Sequence, residues 1–425
     1  MLSDLQPLAA EIFDELRRQS HDGPGITREA LGARETAAHD TLARIATAEG
    51  LKVERDGMRN LVISLPGRDA AAPFVATGSH LDSVPRGGNY DGAAGVVAGL
   101  LALVHLRRCG ASHQRTLKAY ALRGEESAWF GTSWIGSRGL FGLITEKDLA
   151  RPRCDNGRSL HECLAELGAD IGKISRGERL LDPVDVAAFI EVHIEQGPVL
   201  ESKQIPLGVV TGIYASRRYM AVVCRGVAAH AGTTPRALRH DAVVAVSDYI
   251  IRLDRRWAEW LEQEKDLVLT HGVLGTDPAE HAISRVPGYA RFSIEIRSDD
   301  EETLSAFHAL IRAEADAVAR DRGVTFEFDA PLQNRGAPMH RRLIAVLEQC
   351  CRQAEIDHMR VASGAGHDAA LFAQAGIPTG MLFIRNANGS HNPDEHMEME
   401  DFIAAASVLT RALSALSDTP SCLDD

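Results

Sequence analysis

The chain has 425 residues, 45% hydrophobic, 25% charged and 5% aromatic, which excludes a disordered, collagen-like or disulfide-stapled protein. At ~100–200 residues per domain, that length predicts two or three domains with a sizeable core. With 46 Lys and Arg against 59 Asp and Glu, the net charge of -13 argues against nucleic acid as a partner, because phosphate binding needs a basic field.

From the N-terminal end, Leu5, Leu8, Ile12 and Leu16 recur at helical spacing, and residues 36–48 read as a second helix closed by Gly50. Strand-forming flanks around Asp56-Gly57 predict a hairpin. Strands are expected at 74–77, 117–122 and 187–192, with a crossover helix in AAGVVAGLLALVHLRR between the first two. Strand, helix, strand in that order predicts an α/β fold with a mixed, largely parallel sheet flanked by helices. The rhythm changes after about Pro206. Residues 209–223 read as one or more strands and 235–265 as one long helix striped by Val243, Val246, Ile250, Leu253, Trp257 and Leu261. Strands at 268–274 and 289–296 and a helix at 305–322 complete a block of α+β character. Helix 341–354, the run 367–375 and strand 379–384 then resume the first pattern, so the block is expected to be inserted into a discontinuous α/β domain. The polar tail from Ser417 is expected to fray.

Each strand end delivers polar chemistry. GSHLDSVPRGGNYDG follows the strand at 74–77 with His80, Asp82 and Asp91, where open α/β sheets place ligands. His80 can ligate a metal, Asp82 can accept its other ring N–H, and Asp91 offers two oxygens; the alternative is a polar loop with turn glycines. RGEES carries Glu125 and Glu126, of which one can bind metal while the other takes a proton from water. HIEQG adds His193, Glu195 and Gln196, and GSHNPDEH adds His391 and His396. Three histidines and two carboxylates overfill one tetrahedral site, whereas two metals ~3.5–4 Å apart with a bridging carboxylate use all five. Asp91, at a helix start, is the natural bridge. His and carboxylate ligands suit zinc first, with manganese, cobalt or nickel as alternatives.

These motifs, with HIEQGPVLE, HAGTTP and GAGHDA, resemble the hydantoinase/carbamoylase branch of the M20 metallopeptidase family over about 25–403. The branch holds N-carbamoyl-L-amino acid hydrolases, β-ureidopropionases and allantoate amidohydrolases. The resemblance implies a catalytic domain of 1–207 and 328–425 and an inserted lid and dimerisation domain of 208–327, in a homodimer. It implies that His80, Asp91 and His193 hold one divalent ion and Asp91, Glu126 and His391 a second. Glu125 is then the general base, Asp82 orients His80, and His230 reaches the substrate carbonyl from a partner's lid. Gln196, Gly366 and His367 line the substrate site, and Arg297 clamps a substrate carboxylate.

The chain departs from the branch at three places. Ser284 stands before Arg285-Val286-Pro287-Gly288 where asparagine is usual, which leaves His281 or water to complete the carboxylate contact. Ser127-Ala128-Trp129-Phe130 replaces Gly-Ser-Arg-Phe, with Trp129 either flooring the pocket or packing beneath the loop. Ser216 replaces a frequent glutamine. No ligand is lost, so the expected activity is hydrolysis of the carbamoyl C–N bond of a small carboxylate-bearing ureido or amide compound. A dipeptidase or acyl-amino-acid hydrolase is the rival of the same clan, and a non-catalytic binding protein on the same scaffold is the rival of another class.

The seven cysteines form no regular framework, so free thiols are expected. The start MLSDLQPLAA lacks a signal-peptide layout and no apolar run reaches the ~18 residues that span a bilayer, so a cytoplasmic protein without membrane partners is expected.

Overall fold

The apolar repeat near the N-terminus folds as helix α1 (Gln6–Ser20), burying Ile12 and Leu16, and α2 is Ala33–Ala48. The structure is a computed structural model and describes residues 2–418. Strands β1 (Lys52–Arg55) and β2 (Leu61–Leu65) make the hairpin. Its loop is fastened by the Asp56 carboxylate, which accepts from the Met58 and Asn60 N–H groups at 2.8 and 3.0 Å. Next come β3 (Phe74–His80), α3 (Ala93–Arg108), β4 (Leu117–Leu122), β5 (Val186–Ile194) and β6 (Leu207–Ile213). β3 and β5 outrun their expected ends because Ser79, His80 and His193 continue the ladder as buried polar residues. α3 is buried on nearly every side, as its unbroken apolar sequence requires.

The smaller of two units is Gly212–Pro338. Its limits differ from the expected 208 and 327. β6 pairs with a strand of the main sheet through residues 207–209, and Leu332–Asn334 still pairs within the smaller sheet. It contains β7 (Ala215–Arg225), α4 (Ala242–Glu262), β8 (Val268–Thr270), β9 (Tyr289–Ser298), α5 (Glu301–Arg322) and β10 (Thr325–Phe328). The strands run antiparallel in the order β8–β9–β7–β10, and the two helices pack on the sheet through Tyr249, Leu253, Phe307 and Ile311. α4 starts at Ala242, not 235, because Asp241 caps it by accepting from the Val243 and Val244 N–H groups. Its buried stripe is Ala242, Ala245, Val246, Tyr249 and Leu253, leaving Val243 and Leu261 of the expected stripe exposed.

The larger unit comprises the chain up to Thr211 and again from Met339. Its second part holds α6 (Arg341–Gln353), β11 (His358–Ser363), α7 (Asp368–Gln374), β12 (Thr379–Ile384) and α8 (Met399–Asp418). The main sheet runs β6–β12–β5–β3–β4–β2–β1, with β11 also paired to β6. The four central strands β12, β5, β3 and β4 are parallel, while β6, β2 and β1 are antiparallel to their neighbours. The carboxyl ends of the parallel strands therefore share one edge. The expected fraying from Ser417 does not begin there: Ser417 is buried in α8, and residues from 419 on lie outside the described part. Among the described residues no helix is long and apolar enough to cross a membrane, and six cysteines are free thiols.

Candidate metal centre

His80 ends β3, His193 is the penultimate residue of β5, Glu125 and Glu126 follow β4, and His391 lies in the loop after β12. The turn after β4 is held by a buried ion pair. Arg123 Nη1 meets Glu35 Oε2 at 2.5 Å, and Glu35 accepts from the Gly124 and Leu31 N–H groups at 3.0 and 2.9 Å. Burial pushes the Glu35 carboxyl up to about 7 against the pull of Arg123. Asp91 precedes α3, where Gly92 takes φ +65°; a β-carbon on Gly92 would stand 2.5 Å from the His80 ring.

Two groups of side chains that could each hold a metal ion meet at Asp91. His80, Asp91 and His193 form one, and Asp91, Glu126 and His391 the other. Asp91 Oδ1 lies 3.5 Å from His80 Nε2 and 3.1 Å from His193 Nε2. Asp91 Oδ2 lies 3.2 Å from His391 Nε2, which is 3.1 Å from Glu126 Oε1. The tautomers follow from the other ring nitrogens. Nδ1 of His193 faces the Ile194 carbonyl at 2.8 Å, and Nδ1 of His80 faces the Asp82 carbonyl at 3.1 Å, so both carry their proton there. Their Nε2 lone pairs then point at each other across 3.4 Å and at Asp91 Oδ1, a buried oxygen with no hydrogen-bond partner. The Gly92 N–H also approaches His193 Nε2, at 3.2 Å. Ring nitrogens and carboxylate oxygens that converge in this way fit a cation. With no cation between them, the carboxylates favour a proton on the rings instead. Burial lowers His80 and His193, but Asp82 and Asp91 raise the first well above the imidazole range and Asp91 raises the second. Hydrogen bonds to Asp91 and Glu126 push His391 up to about 11, while its histidines hold Asp91 well below the carboxylate range despite burial.

Asp82 is 3.4 Å from His80 Nδ1, and its carboxylate also accepts the Glu125 and Glu126 N–H groups at 2.9 and 3.0 Å. It thus ties the glutamate turn to the His80 loop, while the nearer partner of the His80 Nδ1 is the Asp82 backbone carbonyl rather than the expected carboxylate. Glu125 is buried, and burial with the Glu126, Asp368 and Asp82 carboxylates outweighs His80 to hold it well above its ordinary pKa. Gln196, at φ +63°, sends its amide to Asp91 Oδ2 at 2.8 Å. His367 is buried edge-on to His193, reaches Ser363 Oγ at 3.0 Å, and is kept neutral by burial. Gly366 lies against the Trp134 ring. Trp129 packs beneath the loop, its indole N–H on the Ser83 carbonyl at 2.8 Å.

The remaining candidates lie in the smaller unit. His230 pairs with Arg285 across a short ladder, and the Ala231 N–H donates to the Ser284 carbonyl at 2.7 Å, so His230 and Ser284 are neighbours. His281 Nε2 contacts Thr276 Oγ1 at 2.6 Å. Arg297, opposite Ser216 on β9, is ion-paired with Glu295 at 3.0 Å, a partner its sequence did not announce. The sequence reading also missed three buried groups. Arg28 donates to the Leu81 carbonyl at 2.6 Å and to Asn89 Oδ1 at 3.1 Å, lacing the 81–89 loop. Asp368 takes the Ser137 hydroxyl, and Glu395 stands behind Asp91.

A model of peptidase family M20/M25/M40 matches residues 76–415. An N-carbamoyl-L-amino-acid amidohydrolase from Paenarthrobacter aurescens is 33% identical over 417 residues, covering 97% of this chain and 99% of its own. An allantoate amidohydrolase from Escherichia coli (strain K12) is 33% identical over 396 residues, covering 92% and 93%. The crystal structure of a hydantoinase/carbamoylase family amidase from Burkholderia multivorans superposes with a TM-score of 0.88 at 29% identity, covering 98% of each chain.

Proposed function

The chain belongs to peptidase family M20/M25/M40, and from that premise we propose a two-metal amidohydrolase that cleaves the carbamoyl C–N bond of an N-carbamoyl amino acid or similar small ureido acid. The observation that carries the reading is Asp91, whose two oxygens each face a separate group of ligand atoms and one of which is buried without a partner. The names of the similar proteins support the ureido class of substrate.

Two divalent ions, zinc first and manganese, cobalt or nickel as alternatives, would supply Lewis acidity to the scissile carbonyl and to water. His80, Asp91 and His193 would hold one, and Asp91, Glu126 and His391 the other. Glu125 takes the proton from the attacking water and returns it to the leaving nitrogen, a role suited to a buried carboxyl that holds protons readily. Asp82 keeps Glu125 in place through its backbone N–H. Gln196, Gly366 and His367 line the substrate. Arg297, released from Glu295, and Ser284 bind the substrate carboxylate, Arg297 in the bidentate manner that lysine cannot reproduce. His230 of one subunit of a homodimer polarises the carbonyl in the other, a contribution of ~2.7–4 kcal/mol for a well-placed donor. Water adds to the carbonyl carbon, the C–N bond breaks, and the carbamate released decays to ammonia and carbon dioxide.

The test is a panel of N-carbamoyl amino acids, allantoate, N-acetyl amino acids and dipeptides offered to enzyme loaded with zinc, manganese, cobalt or nickel. The ureido compounds are expected to exceed the others in kcat/KM by at least about 100-fold, or ~2.7 kcal/mol. Faster turnover of dipeptides or N-acetyl amino acids would move the chain to the peptidase or aminoacylase reading.

A further inference from the structure

The bridging geometry of Asp91 has a support outside the ligand set. Glu395 is 4% exposed, and each of its oxygens is committed. Oε1 accepts the Tyr90 N–H at 2.8 Å and the Asp91 N–H at 3.2 Å. Oε2 lies 2.6 Å from Ser390 Oγ, and that hydroxyl is 2.7 Å from Asp91 Oδ2. One side chain therefore reaches Asp91 by two routes, at its backbone and, through the Ser390 hydroxyl, which can give its one proton to only one of the two carboxylates at a time, at the carboxylate oxygen that faces His391 and Glu126. The fit leaves no slack: a β-carbon on Gly88 would stand 2.1 Å from the Glu395 carboxyl carbon. The loop that carries Ser390 is itself constrained. Its base is closed by the Ala387–His396 backbone pair, and His391 sits at φ +60°, a left-handed conformation uncommon for a residue with a side chain.

We propose that Glu395 is a positioning residue for the metal bridge: with Ser390 as the strut, it fixes the Asp91 carboxylate so that one oxygen serves each ligand group. The inference rests on the two-metal reading above. It differs from a packing role in what it predicts, because a residue that only fills space changes the stability of the folded unit without changing how tightly that unit holds a cation. Outer partners of metal ligands change affinity by 10–100-fold when removed.

The test measures zinc affinity of the full-length metal-free protein by competition with a chromophoric chelator, beside its melting temperature. Glu395→Ala orphans two buried N–H groups and frees the Ser390 hydroxyl, and it is expected to weaken zinc binding by about 10–100-fold. Ser390→Ala removes only the strut, leaves the backbone grip intact, and is expected to cost about tenfold; it also keeps the idea testable if Glu395→Ala does not fold. Glu395→Gln retains an oxygen for both N–H groups and offers an N–H to Ser390 Oγ, so affinity within about threefold of wild type is expected. If the two alanine variants bind zinc as tightly as wild type, whatever their melting temperatures, Glu395 does not position the bridge. If wild type itself takes up no zinc, the metal reading fails and the inference falls with it.

Discussion

Asp91 is where the candidate site converges, since its two oxygens face two separate sets of nitrogen and oxygen atoms that could hold a metal ion. Around it the candidate ligand residues were legible in sequence because each stands at or just beyond a strand end, where an α/β sheet collects them. Their supports were not legible. Glu395 is 304 residues from Asp91 and Glu35 is 88 from Arg123, and no local spacing links such pairs. Arg297 was readable as a cation but not as one already engaged by Glu295, because that partner depends on the strand's side-chain directions. Glu125 offers the sharpest single-residue prediction. Glu125→Gln should leave zinc uptake unchanged and lower kcat by about 10²–10⁴, the range for loss of a general base. Metal analysis with steady-state kinetics checks it, and an unchanged kcat would remove Glu125 from the proton path.

Among the elements, helix α2 does more than cover the sheet. It places Glu35 against Arg123, and four residues later His39, which is buried with neither ring nitrogen bonded. Burial, and then the Arg123 and Arg55 charges, lower the His39 pKa well below the imidazole range. The sign follows: the folded chain refuses a proton that the unfolded chain accepts. Stability is therefore full above pH ~6.5 and falls as the pH drops below it, by up to about 1.4 kcal/mol per pH unit from this residue. His39→Phe should flatten that part of the slope in urea unfolding between pH 7 and 5; an unaltered slope would mean that His39 titrates normally. Element reading from sequence failed where small or continuous apolar residues hid the period. The buried face of α4 runs through Ala242 and Ala245 rather than Val243. The helix α8 was passed over because Phe402, Ile403, Ala405, Ala406, Val408 and Leu409 are buried in near succession. β4 and β12, bounded by clear turns, were read to the residue.

At the scale of the whole molecule, the sheet edge of the larger unit gathers candidate ligands that lie between residues 80 and 391, so the proposed centre is a property of the fold and of no single motif. The unit is interrupted by Gly212–Pro338 and resumes at Met339 to supply β12 and the His391 loop, which makes the second ligand group depend on both halves of the discontinuous chain. The two-metal centre stands or falls on how many ions the reaction needs. Metal-free enzyme should be titrated with zinc while the hydrolysis of an N-carbamoyl amino acid is followed. Activity should be absent at the start and level off at two equivalents per chain; a plateau at one equivalent, or full activity in enzyme stripped of metal, would contradict the two-metal centre built on Asp91.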